Sequence, residues 1–231
     1  SDFDITTSGN TGKADYTNLS ATSYQTTGTY DVAETVPTGW DLDTASCDDG
    51  SEPGAIDLGP GETVTCTFTN VQQGNISIVK NTVGGDGTFG FVSAALSDFD
   101  ITTSGNTGQA DYTNLSATSY QTTGTYDVAE TVPTGWDLDT ASCDDGSEPG
   151  AIDLGPGETV TCTFTNVQQG NISIVKNTVG ADGTFDFVSA ALSDFDITTS
   201  GNTGKADYTN LSATSSQTTG TYDVAETVPT G

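Results

Sequence analysis

Apolar and polar residues alternate along this chain in short runs separated by turn signals. NISIVK at 75–80, GTYDVAE at 124–130 and TVTCTFTN at 159–166 place β-branched, aromatic or other apolar residues at every second position. That is the period of a strand with one buried face. Strands are expected at 75–80, 88–93, 98–103, 109–115, 124–130, 135–141 and 158–166. Between them lie GGDG at 84–87, SGN at 104–106, PTG at 133–135, DDG at 144–146 and GPG at 155–157, which carry the Gly, Pro, Asn and Asp that turns require. No stretch has a convincing helical period. Seven short strands joined in this way predict an all-β, two-sheet, Ig-like sandwich.

The pattern then repeats. SDFDITTSGNTG begins at Ser1, Ser97 and Ser193, a spacing of 96 residues, with few changes between copies. A unit of that length is too long for a solenoid turn and suits a β-sandwich, so a tandem array of beads is expected. The most linker-like stretch, VQQGN, divides the chain into a partial repeat at 1–73, a complete repeat at 74–169 and a partial repeat at 170–231. The first fragment lacks two opening strands and the last lacks the closing ones. Open sheet edges of that kind invite pairing, and the expectation is a window into a longer array. A first residue of Ser rather than Met points to a mature or clipped chain.

Strand parity raises a chemical question. Ile76, Ile78 and Lys80 share a face, as do Tyr126, Val128 and Glu130, and as do Val160, Cys162, Phe164 and Asn166. Three inward faces therefore end in Lys80, Glu130 and Asn166, and Lys80 is the only basic residue of 74–169. Unpartnered polar groups in a core cost about 2–7 kcal/mol each, and a lone charge costs more. Burial lowers a lysine pKa and raises that of a glutamate, so a neutral amine and a protonated carboxyl become accessible. Such an amine can attack the asparagine carboxamide while the glutamic acid polarises it and shuttles a proton, and ammonia leaves. The product, a Lys80–Asn166 isopeptide bond, removes the buried charge. The alternative is a lysine that snorkels at its strand end and forms an ion pair with Glu130.

The order of these residues resembles a known family. A first-strand lysine, then GTYDVAETVPTGW, then FTN in the final strand is similar to the collagen-adhesin B-type domains (CnaB-like, SpaA-type, prealbumin-like) of Gram-positive pilins and surface adhesins. The resemblance covers the whole repeat, including GQADYTNL at 108–115, with Trp136 where the family usually has Tyr. It implies that Lys80, Glu130 and Asn166 are the isopeptide triad of the complete repeat. Glu34 and Asn70, and Lys176 and Glu226, are the equivalents in the partial ones. It also implies a structural stalk or filament role at a cell surface.

Composition narrows the functions further. The net charge is -28, with 32 acidic residues against 4 lysines and no arginine, which disfavours nucleic acid and anionic membrane surfaces as partners. No apolar run approaches a membrane span. Without His the commonest general base and metal ligand is missing, and carboxylates that recur in turns give little support to a glycosidase. The chain is thus not expected to be an enzyme beyond acting on itself. Cys47 and Cys66, and Cys143 and Cys162, lie 19 residues apart within their repeats. Zinc would need four ligands, and no His or CxxC is present. Of disulfides and free thiols, disulfides formed in an oxidising, extracellular compartment are expected.

Two weaker signals remain. DDGSE at 144–148, with Asp137 and Asp139, is a candidate Ca²⁺ loop, although its spacing fits no EF-hand; no other cofactor is expected. Asn18, Asn75, Asn114, Asn171 and Asn210 open Asn-x-Ser/Thr triplets and are candidate glycan acceptors. The principal reading is a structural repeat segment whose partners are further copies of itself. The alternative is an adhesin module for a host or surface glycan or protein, with Tyr120 and Trp136 as candidate contacts.

Overall fold

The computed structural model describes residues 2–13, 24–110, 120–207 and 217–228. Among them nearly every regular element is a strand, apart from one 3-10 turn at Pro53–Ala55. The chain divides into two compact units, Ser1–Gln72 and Gln73–Gly231.

In the first unit β1 (Gly28–Tyr30) pairs with β3 (Ile56–Leu58), and β2 (Trp40–Cys47) with β4 (Cys66–Gln72), both antiparallel. In the second unit the most complete arrangement runs from β5 to β13. Its first sheet contains β5 (Asn75–Val83), β8 (Thr107–Ala110), β11 (Trp136–Cys143) and β13 (Thr159–Gln168), in the order β11-β13-β5-β8. A second sheet has the order β10-β6-β7, from β6 (Thr88–Val92), β7 (Phe99–Thr102) and β10 (Ala129–Thr131). A short ribbon joins β9 (Gly124–Tyr126) to β12 (Ile152–Leu154).

The alternation read from the sequence governs which side chains face inward. Ile76 and Ile78 of β5, Phe89 and Phe91 of β6, Ile101 of β7, and Val160, Cys162 and Phe164 of β13 form one buried cluster with Tyr126, Val128, Ile152 and Leu154. Phe91 meets Phe164 edge-on from the opposite sheet, ring centroids 5.1 Å apart. This is the β-sandwich arrangement of two inner faces around one core.

Later in the same unit the pattern recurs. β14 (Ser173–Asn177) pairs with β17 (Thr203–Asp207), while β15 (Thr184–Val188) lies between β16 (Phe195–Thr198) and β18 (Ala225–Thr227). Phe187, Leu192, Phe195, Ile197 and Ala206 form a second, smaller buried cluster.

Three expectations about strands are corrected. GTYDVAE is not one strand: β9 pairs with β12, whereas β10 pairs with β6 in another sheet. The break falls at Asp127–Val128, where Val128 N–H donates to the Pro149 carbonyl and the Asp127 carboxylate accepts from Ala94 N–H. Tyr126 and Val128 nonetheless both stay buried. β12, three residues between glycine-bearing turns, was too short to register as a periodic run. β5 and β13 also run on beyond Lys80 and Asn166, to Val83 and Gln168, so neither residue sits at a strand end. Of the strand expected at 109–115, residues 111–115 lie outside the described residues.

Candidate functional site

β5 and β13 lie side by side and parallel, with Phe164 opposite Lys80 and Asn166 opposite Thr82. Parity turns Lys80 and Asn166 to the same inner face, two residues apart in register. β10 belongs to the facing sheet, where Glu130 pairs with Phe91, and its side chain crosses the core toward them. Lys80 and Asn166 are both 0% exposed.

The three side chains close a ring of contacts. Lys80 Nζ donates to Asn166 Oδ1 at 2.5 Å and to Glu130 Oε2 at 3.3 Å, and Asn166 Nδ2 donates to Glu130 Oε1 at 2.6 Å. The first contact is shorter than the roughly 2.7–2.9 Å of an ordinary charge-assisted bond. Lys80 Nζ also lies 4.5 Å from the centroid of the Phe89 ring, and Phe89 packs edge-on against Trp136. Burial pushes the Lys80 ammonium below its ordinary pKa, opposed by the charge of Glu130 and by the hydrogen bond to it. A lysine shifted this way, a carboxamide at its nitrogen and a carboxyl touching both make a set of atoms suited to acyl transfer from amide to amine.

The other copies hold parts of this set. Lys176 Nζ contacts both carboxylate oxygens of Glu226 at 2.8 Å and lies over Phe185, but these two side chains are 21% and 28% exposed. In the first unit Glu34 is exposed and Asn70, on β4, is half-buried. The first copy thus supplies the glutamate and asparagine and the third the lysine and glutamate, and among the described residues only the second brings lysine, glutamate and asparagine together.

Both cysteine pairs form disulfides, Cys47–Cys66 and Cys143–Cys162. Each joins directly opposite residues of an antiparallel pair, β2 with β4 and β11 with β13. Cys162 lies on the same inner face of β13 as Asn166, so the bridge ties down the strand that carries the carboxamide.

The acidic loop is occupied with its own backbone. Asp144 accepts from Thr161 N–H at 2.8 Å, Asp145 from Ser147 N–H and Oγ, and Asp137 from Gln169 Nε2. Among the described residues no three acidic, cysteine or histidine side chains converge on a position for a metal ion. Of the candidate glycan acceptors, Asn75 is half-buried in β5 beside Thr159, and Asn171 is exposed ahead of β14. Asn18, Asn114 and Asn210 lie outside the described residues. Trp136 belongs to the packing under the site rather than to a free surface. No helix among the described residues is long and apolar enough to cross a membrane.

Sequence reasoning did not find Phe89, the ring beneath the amine, or Thr82, the next inward residue after Lys80. Thr82 shares the parity of Lys80, but the inward positions turn polar from Lys80 onward, so the apolar alternation that marks a strand stops before it.

A family profile described as a prealbumin-like fold domain matches residues 1–72 and again 76–168. No curated protein matches the chain.

Proposed function

The chain belongs to the SpaA-type family of prealbumin-like fold domains, and from that premise we propose that it is a load-bearing segment of an extracellular stalk or filament whose complete repeat crosslinks itself. The observation that carries this reading is the fully buried Lys80 amine held 2.5 Å from the Asn166 carboxamide oxygen. The repeats are 1–73, 74–169 and 170–231, successive beads of one array, and their partners are further copies in the same filament.

The reaction consumes only groups already present. Lys80, deprotonated, attacks Asn166 Cγ with its lone pair, and a tetrahedral centre forms. Glu130 takes a proton from Nζ and delivers one to Nδ2, the Cγ–Nδ2 bond breaks, and ammonia leaves. One amide is lost and one is made, and Glu130 ends in the state in which it began. Burial supplies the neutral amine, and Glu130 touches both the attacking and the leaving nitrogen, as a proton shuttle must.

The bond would give the repeat its mechanical role. Load entering at β5 would pass from Lys80 straight to Asn166 and leave through the end of β13. Residues 81–165, including the Cys143–Cys162 disulfide, would be spared. A parallel pair held by hydrogen bonds alone would have to resist the same load by its ladder.

The test is the intact mass of the reduced full chain beside its Glu130→Ala variant. The expected result is a wild-type mass short by one ammonia and a variant at full mass. A wild-type chain at full mass would overturn the crosslink and leave Lys80 in an ion pair.

A further inference from the structure

Thr82 is 5% exposed, and its hydroxyl is one of two buried side-chain polar atoms without a hydrogen-bond partner among the described residues. A buried hydroxyl left unpaired costs about 1–3 kcal/mol. Such a group calls for an explanation in function or in water.

Its position supplies one. Thr82 is the next inward residue after Lys80 on β5, and it is the ladder partner of Asn166 on β13. In the third copy the equivalent Thr178 has the same backbone link, its N–H donating to the Asn202 carbonyl as Thr82 N–H does to that of Asn106. There, however, the Thr178 hydroxyl donates to Asn202 Oδ1 at 3.5 Å. The unpartnered hydroxyl therefore occurs in the copy where an asparagine strand lies alongside.

We infer that the Thr82 hydroxyl is the oxyanion donor of the crosslinking reaction, an inference that rests on the self-crosslinking proposed above. Before reaction, Asn166 Oδ1 receives its hydrogen bond from Lys80 Nζ. When that nitrogen bonds to Cγ it ceases to be the donor, at the moment Oδ1 takes on negative charge. The site must then provide another donor, and donors placed where charge develops are among the strongest contributions to catalysis. The Thr82 O–H is free, buried and beside Asn166 in the ladder. It donates to Oδ1 as the tetrahedral centre forms and is released as the carbonyl returns. No proton is transferred, so the balance of the reaction is unchanged.

Stability and rate are expected to move in opposite directions, which separates this role from simple packing. Full-length chain is made by cell-free synthesis under oxidising conditions and sampled over time into acid denaturant. It is then reduced and weighed for loss of ammonia, and the melting temperature of each variant is recorded alongside. Thr82→Val keeps the shape and removes an unpaired polar group, so it is expected to be at least as stable as wild type yet to crosslink about tenfold more slowly. Thr82→Ser keeps the hydroxyl and is expected to stay within about twofold of the wild-type rate. A Thr82→Val chain that crosslinks as fast as wild type overturns the inference, as does a Thr82→Ser chain as slow as Thr82→Val. A wild-type chain that never loses ammonia overturns the crosslink itself, and this role with it.

Discussion

Removing the glutamate from two copies of one motif separates burial from sequence. Glu130→Ala strips Lys80 of its counter-ion at 0% side-chain exposure, and Glu226→Ala does the same to Lys176 where the side chains are 21% and 28% exposed. Breaking a buried pair by deleting one partner costs about 3–5 kcal/mol. Asn166 Nδ2 also loses its acceptor, which would add about 1–3 kcal/mol if Lys80 stayed charged. Lys80 can instead shed its proton, which limits the total, so about 4 kcal/mol is expected for Glu130→Ala. The partly exposed pair is worth about 0–1 kcal/mol.

The sign with pH follows from the same burial. The folded pKa of Lys80 lies below its ordinary value, and without Glu130 it falls further. The unfolded chain then holds more protons than the folded one, so the variant gains stability as pH rises toward the ordinary lysine range. Hydrogen exchange followed by mass spectrometry on peptides of 75–110 and 120–168, against peptides of 171–207, reads the two sites within one chain. Glu130→Ala is expected to lose protection across the first set, partly regained at alkaline pH, while Glu226→Ala leaves the second set near wild type. Equal losses for the two variants would refute the reasoning, because burial would then not be what distinguishes them. Crosslinking in the wild type adds to the difference and cannot reverse it.

Two further outcomes test the surrounding structure. Gly108 lies opposite Lys80 in the ladder, and a Cβ there would stand 2.6 Å from Ile101 Cγ2 and 2.8 Å from the Thr102 carbonyl oxygen. Gly108→Ala is therefore expected to cost about 1–3 kcal/mol in denaturant unfolding, while Gly150→Ala, which meets nothing within 4 Å, is expected to leave stability unchanged or slightly raised. In the third copy Asp186 faces Asp196 across β15 and β16, where the second copy has Gly90 facing Asp100. The hydrogen bond that the protonated Asp196 carboxyl donates to Asp186, then burial and repulsion, raise the Asp196 pKa. A raised carboxyl pKa means the folded state holds the proton more tightly, so the pair disfavours folding at neutral pH and ceases to do so in acid. Asp186→Asn is expected to raise the melting temperature of that region at neutral pH, with the gain fading as pH falls through the carboxylate range.

Much of the site was legible because the pleat is local. A side chain's face follows from its place in the strand, so Lys80, Glu130 and Asn166 could be assigned inward from alternation alone. The disulfide pairs were legible from one cysteine pair per repeat at a constant spacing of 19 residues. Strand limits were not. Hydrogen bonds from neighbours carry β5 past Lys80 to Val83, and this moves the lysine from an edge where it could reach water to an interior where it cannot. The division of GTYDVAE between two pairings depends on Pro149 and Ala94, residues distant in sequence whose contacts no local pattern encodes.

The repeat itself shows where local information ends. ISIVKN occurs at 76–81 and again at 172–177, and in both copies the lysine lies over a phenylalanine and faces a glutamate. The sequence alone determined the alternation and the inward face of the lysine, and named the glutamate as its partner. Tertiary structure decided the rest: β13 lies along β5 and seals Lys80 against Asn166, whereas among the described residues β14 pairs only with β17 and leaves Lys176 partly in water. Parity is a property of a few adjacent residues. Desolvation, and the chemistry it permits, depends on a strand more than eighty residues away along the chain.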